Sequence, residues 1–171
     1  MRVGFRALEV CALEWRAIEL DGPSPTVAVT RSKTRAKLRT LPLPPPAVAD
    51  LRGLKDEAAK GAAFVFPAEA GATRAEHLHP ESLSRAFARC CERLEIEGAS
   101  THDLRRTCLS GLAELGHSGV AERIAGHVPR GVFGRHYDRS RQLAAMRTAL
   151  EAWSEAIEAA RERTISAQGA A

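Results

Sequence analysis

Three consecutive prolines, Pro44-Pro45-Pro46, separate a stretch with strand-like patterning from a helical part of the chain. Proline fixes φ and lacks a backbone N–H, so the run ends any strand before it, and within a helix it is tolerated only at the start. Between residue 17 and the prolines, apolar residues form short stretches separated by turns, whereas over residues 4–15 and after the prolines they recur at helical spacing. The sequence therefore predicts an α+β fold that is mainly α-helical, with a small three-stranded antiparallel sheet.

The same spacing places the individual elements. Strands are predicted at residues 17–20, 26–30 and 38–43, with a basic hairpin whose tip lies at 35–37. Helices are predicted at residues 4–15, after the prolines, from 80 to 94, from 101 to 115, from 118 to 125 and from 143 to 163. The helix that begins at Pro80 has an apolar stripe formed by Leu83, Phe87, Cys90 and Leu94.

Length and composition indicate one domain over residues 1–171. The 171 residues, 44% hydrophobic and 27% charged, suit a single soluble domain. No apolar run reaches the ~18 residues that span a bilayer, and no signal-peptide core follows Met1, so the expected compartment is the cytosol. We expect a core over 1–142, a carboxy-terminal helix over 143–163 and a disordered tail over 164–171.

The cysteines are too scattered for a zinc site and are predicted to be buried free thiols: Cys11, Cys90, Cys91 and Cys108.

Positive charge is concentrated in two segments of a chain whose net charge is +4. Residues 30–41 carry five basic side chains and no acid, and residues 123–141 carry five arginines against one aspartate. This pattern predicts a polyanionic partner such as a phosphate backbone. Solvated basic loops are the alternative interpretation.

The segment that begins with His102 has the spacing of a phosphate clamp. His102 and Arg105 are three residues apart, so on a helix they project to the same side. They also lie at a predicted helix N-terminus, where free backbone amides favour an anion. The alternative is an ordinary surface pair.

Further motifs surround this segment in a fixed order. His102-Asp103-Leu104-Arg105-Arg106-Thr107 is followed by Ile124-Ala125-Gly126-His127 and by Arg135-His136-Tyr137. It is preceded by Gly4-Phe5-Arg6-Ala7-Leu8-Glu9-Val10, and by Ser32-Lys33-Thr34 ahead of Leu41-Pro42-Leu43. In this order, from about residue 4 to residue 139, the motifs resemble the catalytic domain of the tyrosine recombinase family, the phage integrases.

The resemblance implies the fold of that domain and a complete catalytic site. The implied site residues are Arg6, Lys33, His102, Arg105, His127 and the nucleophile Tyr137. His102 is the implied proton acceptor and Lys33 the implied general acid. Two guanidiniums and an imidazole suit the negative charge that develops on a phosphodiester under attack. The implied reaction cleaves and rejoins DNA strands through a 3′-phosphotyrosyl link, and it calls for no metal, ATP or other cofactor.

The implied partner is double-stranded DNA, bound by a dimer or tetramer of the chain, with no membrane partner and with nucleoid association on DNA. The DNA-binding residues expected in the basic segments are Arg31, Arg35, Lys37, Arg39, Arg130, Arg135 and His136.

Plainer interpretations remain for several positions of the implied catalytic site. Arg6 could be a solvated first-turn residue, another basic residue could replace Lys33, His127 could cap a helix, and Tyr137 could be a core tyrosine.

The chain also departs from the family pattern at its amino terminus. Family domains have helices ahead of the first arginine, whereas Arg6 lies near residue 1, so we expect an N-terminally truncated domain with apolar surface exposed on its first helix. The carboxy-terminal helix could pack on its own domain or dock on a neighbouring protomer.

Two alternative functions remain. The first is a catalytically silent DNA-binding remnant of such a recombinase, and the second is an unrelated helical nucleic-acid-binding regulator.

Overall fold

The computed structural model describes residues 2–30, 38–68, 77–127 and 139–168. Within these ranges the chain is mainly α-helical and forms a three-stranded sheet, as the sequence predicts. The helices are α1 (Ala7–Cys11), α2 (Pro45–Glu57), α3 (Pro80–Arg93), α4 (Thr101–Glu114), α5 (Ser118–Ile124) and α6 (Arg139–Gln168). The strands are β1 (Ile18–Glu19), β2 (Thr26–Val29) and β3 (Arg39–Pro42). None of these helices combines the length and the apolar character needed to cross a bilayer.

The sheet is antiparallel, with β2 between β1 and β3. Val27 of β2 pairs with Ile18 on one side and with Leu41 on the other. Val27 and Leu41 are fully buried, because one face of the sheet packs on the core. The strands are shorter than predicted. Thr30 and Leu38 adjoin the last β2–β3 pair, Val29 with Arg39, and both are exposed and lie outside the ladder. The predicted hairpin tip at 35–37 lies outside the described residues.

Helix α2 begins directly after the proline that caps it. Pro44 is the N-cap, and Pro45 and Pro46 occupy the first helical positions. A missing N–H costs nothing there, because the first turn of a helix has no intrahelical acceptor for it. The prediction that the proline run opens a helix is confirmed.

Helix α1 is much shorter than the helix predicted over residues 4–15. Gly4 has a φ of +65°, and Arg6 is extended at the N-cap position, so the helix starts only at Ala7. After Cys11 the chain leaves the helix, and Glu14 forms an isolated bridge with Phe64. The extended entry places residues 4 to 6 beside α4 instead of on the face of a longer helix. Leu8 of α1 is 45% exposed, in line with the apolar exposure expected for the first helix.

Helix α3 packs against α1 and α4, and only part of the stripe predicted for it is covered. Leu83 and Phe87 are half-buried, whereas Cys90 is exposed and Leu94, just past the helix end, is 68% exposed. Cys91, which shares a helix face with Leu83 and Phe87, is the buried residue of α3 in place of Cys90. The prediction of buried free thiols is thus confirmed for Cys11, Cys91 and Cys108 and wrong for Cys90.

Helices α4, α5 and α6 pack together, and α6 also lies along β3. Their fully buried side chains include Cys108 and Leu112 of α4, Ile124 of α5 and Ala149 and Leu150 of α6. Trp153 of α6 lies on Gly111 of α4 so closely that a Cβ at position 111 would overlap the indole ring. In this structure α6 therefore packs on its own domain.

Helix α6 extends at both ends beyond the predicted 143–163. It runs from Arg139 to Gln168, so the disordered tail predicted from residue 164 is wrong for residues 164–168. The sequence contains no proline or glycine between Arg139 and Gln168, and Gly169 is the first residue that strongly disfavours a helix.

Candidate functional site

A buried carboxylate, Glu9 of α1, organises the candidate site. Its side chain is only 2% exposed, and three arginines from three different elements surround it. Arg6 donates from Nη1 to Oε1 at 3.0 Å. Arg39 of β3 donates from Nη1 to Oε1 and from Nη2 to Oε2, both at 3.0 Å. Arg105 of α4 brings its Nη1 to 3.8 Å from Oε2.

Arg6 and Glu9 are joined twice because α1 begins between them. The backbone N–H of Arg6 donates to Oε2 of Glu9 at 2.9 Å, which is the glutamate half of a capping box at the start of the helix. The glutamate three residues into the helix thus satisfies the backbone of the N-cap residue and also pairs with its guanidinium. The Arg6 side chain keeps 31% of its surface exposed, so it is the most accessible of the three arginines.

Arg105 lies inside the fold and bridges two backbone carbonyls. Its Nη1 donates to the carbonyl of Gly4 and its Nη2 to the carbonyl of Ala125, the latter at 2.7 Å. Gly4 can direct its carbonyl this way because its φ of +65° suits a residue without Cβ, and an added Cβ would lie 3.3 Å from Sγ of Cys108. Burial, with the positive charge of Arg6 as the next cause, lowers the pKa of Arg105 to about 10.

The alternative interpretation of His102 and Arg105 as an ordinary surface pair is therefore wrong for the arginine. His102 is exposed on the first turn of α4, while Arg105 is buried. Arg105 turns inward because the carbonyls of Gly4 and Ala125 and the carboxylate of Glu9 provide acceptors there. A sequence pattern at i and i+3 carries no information on acceptors that come from distant segments.

The end of α5 explains why two arginines meet at its carbonyls. The N–H of His127 bonds to the carbonyl of Glu122 and the N–H of Gly126 to that of Arg123, with Gly126 at a φ of +72°. This is a Schellman motif, which satisfies those two carbonyls but leaves the next two without helical donors. Arg39 Nε donates to Ile124 O at 2.8 Å, and Arg105 takes Ala125 O.

His127 follows this helix end and is exposed. Its backbone takes part in the Schellman motif, so the helix-cap interpretation of residue 127 holds for its backbone N–H. The imidazole is a separate group and stays a candidate for the site. Within the described part of the chain, no three His, Cys, Asp or Glu side chains come together in a group that could hold a metal ion.

The electrostatics of the cluster favour an anion. Three guanidinium charges surround one carboxylate, which leaves a net charge of +2. Burial alone would raise the pKa of Glu9, but hydrogen bonds from Arg39 and from the Arg6 backbone outweigh it, and the pKa of Glu9 lies below its ordinary value. Glu9 is therefore ionised at neutral pH, and the excess positive charge belongs to the arginines.

Two residues of this cluster have roles that the sequence pattern does not predict. Glu9 lies three residues after Arg6, and arginine is not among the N-cap residues that signal a capping box, so the pattern does not mark Glu9. Arg39 was predicted to bind DNA, whereas its side chain is 10% exposed and bonds to Glu9 and to Ile124 O. Its geometry therefore supports a role inside the protein, in place of the predicted DNA contact.

The remaining predicted site residues lie outside the described residues. These are Lys33 and Tyr137 among the catalytic positions, and Arg31, Arg35, Lys37, Arg130, Arg135 and His136 among the DNA-binding positions. The described residues thus bring together Arg6, Arg105 and the α5 end that leads to His127.

Comparison with known proteins gives a consistent match. A family model described as the phage integrase family matches residues 1–143. Proteins named tyrosine recombinase XerC from Xanthomonas campestris pv. campestris, strains B100 and 8004, are each 31% identical over 169 residues, covering 86% of this chain and 48% of the relative. The chain spans about half the length of the curated relatives it matches.

Proposed function

Because the chain belongs to the phage integrase family of tyrosine recombinases, we propose that it is the catalytic domain of a site-specific DNA recombinase. It cleaves and rejoins DNA strands through a covalent 3′-phosphotyrosyl intermediate, with residues 1–142 as the catalytic core. The observation that carries this proposal is the group of Arg6, Arg105 and Glu9, which has more positive than negative charge and lies beside the α5 end that leads to His127.

Arg6 and Arg105 would bind the non-bridging oxygens of the scissile phosphate. A guanidinium has five N–H donors, and the two carbonyls bonded to Arg105 take two of them. The donors that remain, together with the more exposed guanidinium of Arg6, can contact a phosphate held over the cluster. Such contacts strengthen as the phosphate gains negative charge, so they lower the barrier more than they stabilise bound substrate.

The proposed chemistry starts at Tyr137, the only tyrosine in the chain. Its phenolic oxygen forms a bond to phosphorus while the bond from phosphorus to the 5′ oxygen breaks. His102 accepts the phenolic proton, Lys33 gives a proton to the departing 5′ oxygen, and His127 donates a hydrogen bond to the phosphate. Attack by a 5′ hydroxyl on the phosphotyrosyl link reverses these steps and rejoins a strand.

DNA would be held by the basic segments that flank the site. Arg31, Arg35, Lys37, Arg130, Arg135 and His136 are the proposed contacts to its backbone. Because such contacts release counterions, binding should weaken steeply as salt is raised. A dimer or tetramer on DNA, with α6 docked within or between protomers, would bring two strands together for exchange.

The experiment that tests this proposal is covalent trapping. The 171-residue chain is incubated with a nicked duplex in which the leaving fragment, the short strand that carries the new 5′ hydroxyl, diffuses away after cleavage. The products are run on a denaturing gel. We expect a DNA-linked band that disappears in Tyr137→Phe, because no other phenol is available. A band that persists in this variant would overturn the assignment of the nucleophile. Salt-sensitive binding without any band would favour the catalytically silent DNA-binding remnant.

A further inference from the structure

We propose that Arg39 is a positioning residue, which occupies the carboxylate of Glu9 and thereby leaves Arg6 and Arg105 available to a phosphate. The inference rests on the proposed function for its biological meaning, but its main test measures anion binding and does not require catalysis. It replaces the direct DNA contact predicted for Arg39 from the sequence.

The geometry of Arg39 is that of an internal connector. It comes from β3, forms two parallel hydrogen bonds to Glu9 of α1, and donates from Nε to Ile124 O at the end of α5. A Cβ on Gly126 would lie 3.0 Å from its Nη1, so the backbone of the α5 end closes over the guanidinium. Arg39 therefore fixes the relative positions of α1, β3 and α5 around the carboxylate.

Counting acceptor sites shows what the bidentate pair prevents. A carboxylate offers about four lone-pair positions, and four donors from the part of the chain that the structure describes reach Glu9. Oε1 accepts from Arg6 Nη1 and Arg39 Nη1, and Oε2 accepts from the Arg6 backbone and Arg39 Nη2. Half of the acceptor capacity of this buried carboxylate is thus used by Arg39.

Without Arg39, two acceptor positions on a buried charge would open. A buried carboxylate that loses donors takes others, because leaving it unsatisfied is costly. Arg105 is already 3.8 Å from Oε2, and Arg6 is bonded to Oε1, so both guanidiniums would turn further onto Glu9. The net charge of the cluster would fall from +2 to +1, and N–H donors would be withdrawn from the phosphate.

The test compares the affinity of inorganic phosphate for a set of variants of the 171-residue chain, measured by ³¹P NMR titration. We expect Arg39→Gln to weaken phosphate binding about tenfold, because the cluster loses one positive charge and donors of Arg6 and Arg105 turn to Glu9. Arg39→Lys keeps the charge but loses the planar pair of donors, so it should also bind phosphate more weakly than the wild type. The matched control is Arg163→Gln, an exposed arginine of α6, which should bind as the wild type does.

Rescue distinguishes positioning from direct contact. In Glu9→Gln/Arg39→Gln the carboxylate no longer competes for Arg6 and Arg105, so phosphate affinity should return to within about threefold of the wild type. Arg39→Gln/Glu122→Gln removes an acid that lies exposed on α5, and it should give no comparable rescue. Equal rescue by the two acids, or no rescue by Glu9→Gln, overturns the proposal, as does a wild type that binds no phosphate.

Thermal unfolding of each variant controls for loss of the fold. If Arg39→Gln does not fold, the comparison of the phosphate affinity of Arg39→Lys with that of Glu9→Gln/Arg39→Gln decides, because the double variant does not leave the carboxylate buried without its partner. Covalent trapping separates the two proposals. If the phosphate affinities follow the expected pattern but no adduct forms, the recombinase function is contradicted and the role of Arg39 is supported. If Arg39→Gln gives a normal yield of adduct, the role of Arg39 is contradicted.

Discussion

At the scale of single residues, the candidate site depends on the carboxylate of Glu9, which takes no part in the proposed reaction. Glu9 is buried, is ionised, and orders three cations that would otherwise repel one another. Removing one partner from such a group leaves uncompensated charge in a region of low dielectric, which is where electrostatic effects on stability are largest.

The pH dependence of stability should report on Glu9 directly. Its pKa in the folded chain lies below the ordinary value, so the unfolded chain binds the proton more tightly. Its stabilising contribution is therefore complete above pH ~4.5 and is lost as the pH falls through the lower pKa of the folded state. We expect Glu9→Gln to lower the free energy of unfolding by about 3 kcal/mol at pH 7, with the difference from the wild type shrinking in acid.

Urea unfolding between pH 3.5 and pH 7 measures this difference. Glu122→Gln, an exposed substitution on α5, is the control and should track the wild type at every pH. A difference between Glu9→Gln and the wild type that stays constant with pH would mean that the carboxylate charge does not stabilise the fold.

The residues that sequence reasoning found and missed differ in one physical respect. Arg6 and Arg105 could be located because short motifs in order along the chain surround them. The partners of Arg105 and Arg39 could not be predicted from the sequence, because only the tertiary fold brings them close to these arginines. These partners are Gly4 O, Ile124 O and the Glu9 carboxylate. A basic residue within a basic run gives no sequence sign that its side chain turns inward.

At the scale of elements, the sequence predicted helices well where caps mark them and less well where tertiary contacts set their ends. Helices α2 and α4 begin at Pro45 and Thr101 because of local signals, the proline run and the capping box of Ser100 and Asp103. The early start of α1 was wrong because Gly4 takes a left-handed conformation to place its carbonyl on Arg105. The exposed Leu94 shows that helical spacing alone does not determine which side a neighbour will cover.

The contact between α4 and α6 gives a prediction at this scale. Gly111 lies beneath the ring of Trp153, and a Cβ would overlap it. Gly111→Ala should therefore lower the free energy of unfolding by about 2 kcal/mol, the cost of overpacking a closed contact, despite the better helix propensity of alanine. Gly53→Ala in α2 is the matched control, since nothing lies within 4 Å of its added Cβ, and it should stabilise the chain slightly.

Chemical denaturation followed by circular dichroism measures both variants. Trp153→Leu combined with Gly111→Ala should lose less stability than the sum of the two single changes, because the overlap is then removed. If alanine at positions 53 and 111 changed the free energy of unfolding equally, the Trp153 ring would not be in close contact with α4 at Gly111.

At the scale of the whole molecule, the arginine contacts join segments from both ends of the chain. Arg2 bonds to Asp50 of α2 and to Glu158 of α6, and α6 packs along β3, α4 and α5. With the sheet and the helices tied together in this way, we expect one cooperative unfolding transition.

The two tryptophans provide separate probes of that transition. Trp15 lies before the sheet and Trp153 lies on α6, so Trp15→Phe and Trp153→Phe each leave one fluorophore in a different part of the fold. In each variant, the midpoint from the remaining tryptophan should agree with that from circular dichroism to within about 2 °C, as two-state unfolding requires. Separate midpoints would indicate that α6 unfolds independently of the sheet.

The capping of α5 by Arg39 and Arg105 also has a consequence during synthesis. The cluster of Glu9 and its arginines needs residues 4 to 9, residue 39, residue 105 and the carbonyls of residues 124 and 125 at the same time. These contacts join segments that are far apart in sequence, so forming them requires the closure of long loops. A nascent chain that ends at α3 holds Glu9 and Arg39 but not Arg105 or the α5 carbonyls, so the group is assembled only after most of the domain has been made.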